Sequence, residues 1–127
     1  MNQLDLIINY KNMSEKTPEN IEATPKLEWG PDLGSVFLSK AQTEIQKLNA
    51  SLDEGEKPWR LPTKDELVAE YKKIDNTPIG FQRNYYWSGT TPPHDIDAVY
   101  IVDMNNCCVD AGNKVVHNYA RLVRDAA

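Results

Sequence analysis

Two cysteines and two histidines supply most of the reactive chemistry open to this 127-residue chain. Cys107 and Cys108 are adjacent. On a strand, neighbouring side chains point to opposite faces, so the pair does not offer two sulfurs to one metal in the linear geometry that a soft thiolate copper site needs. A bridge between neighbours closes a strained ring, and free thiols in a reducing compartment are the expectation. His94 and His117 are spaced unlike a helical metal pair and have no cysteine at zinc spacing. Asp95, Asp97 and Asp103 could offer oxygens to a hard cation, but Asp95 and Asp97 read as the decoration of a solvated turn, and no calcium dependence is expected. No glycine-rich phosphate loop precedes a helix, and no G-x-S-x-G elbow occurs. Ser88 has no recognisable base nearby. No glycosidase pair can be picked from the carboxylates by spacing, and an acid/base role for Glu66 conflicts with a capping role. The residues predict a protein that is not an enzyme and carries no metal or cofactor.

The elements that would position any site centre on Pro58-Trp59-Arg60-Leu61-Pro62-Thr63-Lys64-Asp65-Glu66-Leu67. Thr63 and Glu66 form a capping box, each side chain taking the other's backbone N–H. Pro62 biases Leu61 toward an extended conformation, so the helix is entered from a strand-like segment. Asp65 and Glu66 suit the positive end of the helix dipole. Leu67, Val68, Tyr71 and Ile74 supply the helix's apolar face.

Upstream, residues 4–10 alternate and read as an opening strand, and 11–25 read as a long surface loop with two prolines. Leu27 and Trp29 resume burial before a turn at Gly30-Pro31, and Val36-Phe37-Leu38 form a short extended piece. Ser39 is the expected N-cap of a helix over 40–52, with Ala41, Ile45, Leu48 and Leu52 on one stripe. Downstream, 79–84 is a connecting loop around Gly80. Strands are expected over 85–90, 98–104, 107–111, 114–117 and 119–125, with turns at Asn105-Asn106 and Gly112-Asn113. The sum is one α+β domain spanning 1–127.

Hydrophobic content of 40% and charged content of 26% are ordinary for a folded soluble chain. The net charge of −5 disfavours general nucleic-acid binding, which rests on clustered Lys and Arg. No segment has bilayer length and the N-terminus has no signal-like run, so a cytoplasmic location is expected, or a secreted one if a signal has been removed.

Three landmarks, Trp59-Arg60-Leu61-Pro62-Thr63 with Glu66-Leu67, then Tyr86-Trp87-Ser88-Gly89-Thr90, then Ala120-Arg121-Leu122-Val123-Arg124, resemble the Lcl C-terminal domain family, long listed as a domain of unknown function. Gly89 stands where a serine is usual, and Leu122 where a proline is common. The resemblance implies a C-type-lectin-like fold, related to formylglycine-generating enzymes and fimbrial proteins. Two helices would then pack on a twisted antiparallel sheet, with the N- and C-terminal strands paired as 4–10 beside 119–125. Trp59, Leu61 and Trp87 would fill the core, each burial contributing about 2–3 kcal/mol. Arg60 would be held by a carboxylate or by carbonyls near the end of the sheet. The structural motif would thus comprise Trp59, Arg60, Leu61, Pro62, Thr63, Glu66, Trp87, Arg121 and Arg124.

In such a fold ligands meet the late loops. The implied binding residues are His94, Asp95, Asp97, Asn105, Asn106, Asn113, His117, Asn118 and Tyr119, suited to a sugar, a peptide or a protein surface. The Glu-Pro-Asn and Trp-Asn-Asp signatures of calcium-dependent lectins are absent. The resemblance implies a binding module for a protein or glycan surface. Two alternatives are a small acidic phage or mobile-element protein that inhibits a host protein, and a degenerate formylglycine-generating-type oxidase. Oligomeric state is not encoded in any readable motif.

Overall fold

Strand β5, Asn118–Asp125, has neighbours on both sides, and the sheet is built outward from it. The computed structural model describes residues 26–95 and 97–126; the strand expected over 4–10 and the loop over 11–25 lie outside the described residues. The place beside the last strand is held by β1, Leu27–Val36, which pairs antiparallel with β5 from Leu27↔Asp125 to Val36↔Asn118. The pairing of terminal strands is therefore present, with β1 as the first described strand. On the other side of β5 lies β2, Tyr85–Trp87, and then β3, Ala98–Asp103, and β4, Val109–Asn113. The order is β1-β5-β2-β3-β4. One pair departs from the expected antiparallel plan, since β2 runs parallel to β5 through Tyr86↔Tyr119.

Two helices pack on this sheet: α1, Leu38–Ala50, and α2, Lys64–Lys72. Strand alternation assigns them to different faces. Ile101, Val99, Trp87 and Ala120 cluster with Leu38 and Ala41 of α1. Val102, Met104, Tyr86 and Phe81 cluster with Leu67 of α2. Trp87 is wholly buried, and its indole N–H donates to the carbonyl of Val36 at 2.8 Å.

Several element boundaries differ from the sequence reading, each for a packing reason. Gly30-Pro31 is not a turn; both lie inside β1, next to a register shift. An edge strand tolerates the proline there, and a side chain at Gly30 would collide with the Trp59 ring. Helix α1 starts at Leu38, with Phe37 at the N-cap and no side-chain cap. Ser39 is instead inside the helix, its carbonyl accepting from Thr43 Oγ1, because Leu38 is drawn into the core. Strand β2 stops at Trp87, and Gly89 N–H turns away to the carbonyl of Pro62. Ile74 falls beyond the end of α2 and is 61% exposed. Gly112 lies within β4, where a Cβ would press on Ile101 and Trp87, and 114–117 form the turn expected two residues earlier. Cys107 and Cys108 sit in the β3–β4 turn, not on a strand, and the positive φ there falls on Cys107 at 67°, not on Asn105 or Asn106.

Candidate functional site

Trp59-Arg60-Leu61 runs as a strand-like bridge beside the far half of β5. Arg60 and Val123 exchange both backbone hydrogen bonds at 2.9 Å. Side chains along the bridge alternate between the two faces. The Arg60 guanidinium grips both oxygens of Glu66 at 2.8 and 2.9 Å and reaches Asp125 at 3.1 Å. Glu66 at the same time closes the capping box, accepting from Thr63 N–H at 2.8 Å while Thr63 Oγ1 accepts from Glu66 N–H. The hydrogen bonds from Arg60 hold the Glu66 carboxyl below its ordinary range against the opposing effect of burial, and the same bonds raise Arg60. The expected carboxylate grip on Arg60 is thus present.

Trp59 is less buried than expected. It is half-buried at the rim, its ring covered by the Arg124 guanidinium at 4.2 Å. Arg124 is fixed in turn by both oxygens of Glu28, at 3.1 and 3.2 Å. Asn49 of α1 brackets the Trp59 backbone, accepting from its N–H and donating to its carbonyl. Leu61 packs on the α1-side core. The Trp59 backbone, both terminal nitrogens of Arg60 and both Glu66 oxygens all have internal partners, which leaves them little to offer a ligand.

The segment 77–84 behaves differently. With Tyr119 it lines an open groove of about 550 Å³. Its backbone is fixed. Thr77 Oγ1 donates to Met104 O at 2.6 Å, Gln82 N–H to the Tyr86 hydroxyl at 2.7 Å, and Met104 N–H to Asn84 O at 2.9 Å. Phe81 is buried against Trp29 and Tyr86, with Arg121 over its ring at 5.0 Å. Between Pro78 and Phe81 the chain makes a type II turn, closed by Phe81 N–H to Pro78 O at 3.1 Å, with Gly80 at φ 91°. A side chain on Gly80 would run into the Arg121 guanidinium. The turn thrusts Ile79 into solvent, 97% exposed.

The nine residues implied as ligand contacts fall in three places. His94, Asp95 and Asp97 lie on the β2–β3 loop, next to the end of β4 where Asn113 faces Ala98. Asp95 Oδ1 is occupied by the N–H of Asp97. Asn105 and Asn106 are in the β3–β4 turn; the Asn105 carbonyl accepts from the Tyr71 hydroxyl, and Asn106 Oδ1 accepts from Cys108 N–H. His117 stacks on Phe37 with ring centres 4.0 Å apart, and Asn118 Nδ2 is buried with no hydrogen-bond partner among the described residues. Of the nine, only Tyr119 lines the groove. The sequence reading treats residues 79–84 as a connecting loop only; the signal for the groove is Pro78-Ile79-Gly80, where glycine at the third turn position turns the preceding isoleucine outward.

Among the described residues, no group of three or more His, Cys, Asp or Glu is placed to hold a metal ion. Nor is any described helix long and apolar enough to cross a membrane. A family model described as the Lcl C-terminal domain matches residues 7–124. No curated protein matches the chain.

Proposed function

The chain belongs to the Lcl C-terminal domain family, and from that premise we propose that it is a non-catalytic binding module of lectin-like descent that recognises a protein or glycan surface through the groove between Tyr119 and 77–84. The observation that carries this reading is the contrast within one loop. Its backbone is bonded into the fold, while Ile79, Gln82 and Arg83 are left to solvent. An aliphatic side chain 97% exposed on a braced turn gains nothing for folding and is ready-made for contact, since a preorganised loop has little ordering cost on binding.

A glycan array and affinity capture from lysate, run with the unaltered protein and with Ile79→Asp combined with Tyr119→Phe, test the assignment. The expected result is a ligand whose signal falls at least about tenfold in the double variant at unchanged melting temperature. A ligand retained in full by that variant places recognition elsewhere, with Asn105 and Asn106 next to be replaced.

A further inference from the structure

Resting on that reading of the groove, we propose that its ligand is an acidic peptide segment of a partner protein, one carboxylate taken by Arg83 and one aliphatic side chain packed on Ile79. The chain as a whole has 19 acidic and 14 basic residues, yet the groove lining includes no carboxylate and one cation, Arg83. The chain's other arginines are committed. Arg60 serves Glu66 and Asp125, Arg124 serves Glu28, and Arg121 donates to Gly30 O while lying over Phe81. Arg83 is exposed and has no hydrogen bond or ion pair among the described residues.

The rest of the lining is rich in donors. Asn84 spends its Oδ1 on Tyr85 N–H, which leaves its amide hydrogens as the available group. Gln82 and the Tyr119 hydroxyl stand beside it. A donor-lined cleft around a planar guanidinium suits a carboxylate, which the fork can take in two parallel bonds. The apolar contact at the rim is aliphatic, and both aromatic rings of the lining are already engaged: Tyr119 packs on Tyr86 at 5.5 Å, and Phe81 is buried against Trp29 and Tyr86. Sugars are gripped through aromatic faces, whereas an isoleucine suits the leucine, valine or isoleucine of a peptide.

The open edge of β4 offers a peptide less. Tyr100 directs its N–H to Thr90 O, away from β4, so its partner Ala111 faces outward. That outward N–H is already taken by Asp110 Oδ1 at 2.8 Å, a device that blunts strand addition.

The test uses the full chain and three fluorescein-labelled decapeptide pools, titrated by fluorescence anisotropy at low salt. One pool alternates Asp or Glu with Leu, Val or Ile; the others replace the acids with Lys or Arg, or with Asn or Gln. The acidic pool is expected to bind at least about tenfold more tightly than the other two. Arg83→Glu should remove that preference, Arg83→Lys should keep part of it, and raised salt should weaken it. Equal binding of all three pools, or an acidic preference untouched by Arg83→Glu, overturns the inference. The same preparations go onto a glycan array. Glycan binding that is lost in Ile79→Asp with Tyr119→Phe, with no peptide preference, sinks the peptide and keeps the binding module. No binding on either arm sinks both.

Discussion

Arg60 and Arg83 lie on loops that flank α2, and the protein treats them in opposite ways. Arg60 enters on a bridge hydrogen-bonded to β5, finds two carboxylates, and one of these also caps the helix. Arg83 sits on a loop whose backbone is just as well fixed, but its side chain is given to water. A cation with internal acceptors has its hydrogen-bonding capacity filled; a cation without them keeps that capacity for a ligand. The arginine of the mid-chain motif is thus bonded into the fold, and the arginine of the connecting loop lines the groove.

The widest separation between the two regions should come from the scaffold's own anchor. Trp87→Ala empties the largest fully buried side chain and orphans the Val36 carbonyl. It should cost about 3–5 kcal/mol in urea unfolding, and loss of less than about 1 kcal/mol would mean that the two faces of the sheet are not packed as described.

Arg60→Met comes next. The Arg60 side chain is 37% exposed, so water screens the pair, and the expected loss is about 1–2 kcal/mol, below the cost of breaking a fully buried ion pair. Its pH dependence is more telling than its size. Glu66 titrates below the ordinary carboxylate range when folded, chiefly because Arg60 bonds to it. Its stabilisation is therefore present above the unfolded value and lost as pH falls through the folded one. Melting temperature should drop between about pH 5 and pH 3, and drop less steeply in Arg60→Met. Parallel curves for the two proteins would show that the guanidinium does not tune Glu66.

Thr63→Ala removes half of the capping box and should cost about 1 kcal/mol. That box was legible in the sequence because capping is local: two side chains three residues apart meet whatever surrounds them. The two helices were legible for the same reason, through apolar periodicity, and β3 through its near-continuous apolar run. What failed was decided by distant partners. Leu38 starts α1 ahead of the better cap Ser39 because it is drawn into the core with Trp87 and Ala120. Gly112 stays in a strand because Trp87 and Ile101 need the room above it. The strand that pairs with β5 is β1, with a register shift past Gly30-Pro31, and Gly30 is required there by the Trp59 ring, a neighbour that no local pattern announces. Of the groove, Tyr119 was legible as a polar aromatic at the start of the last strand, where it lies in β5, while Ile79 stood in a connecting loop over 79–84, whose turn no apolar periodicity announces.

Ile79 makes the sharpest comparison because its expected effect is the smallest. A large aliphatic residue in a core costs several kcal/mol when cut back, yet Ile79 is 97% exposed and has no apolar contact to forfeit on folding. The turn that carries it is held by Gly80 and by the Phe81 N–H bond to Pro78 O, both independent of the side chain at 79. Ile79→Ser should therefore change stability by no more than about 0.5 kcal/mol, any residue coming from the unfolded chain, where a lost apolar group matters by a few tenths. Paired with Trp87→Ala, it asks whether a buried and an exposed apolar side chain serve different ends. A melting temperature lowered by several degrees in Ile79→Ser would mean that the turn folds back on the domain and that Ile79 belongs to the scaffold after all.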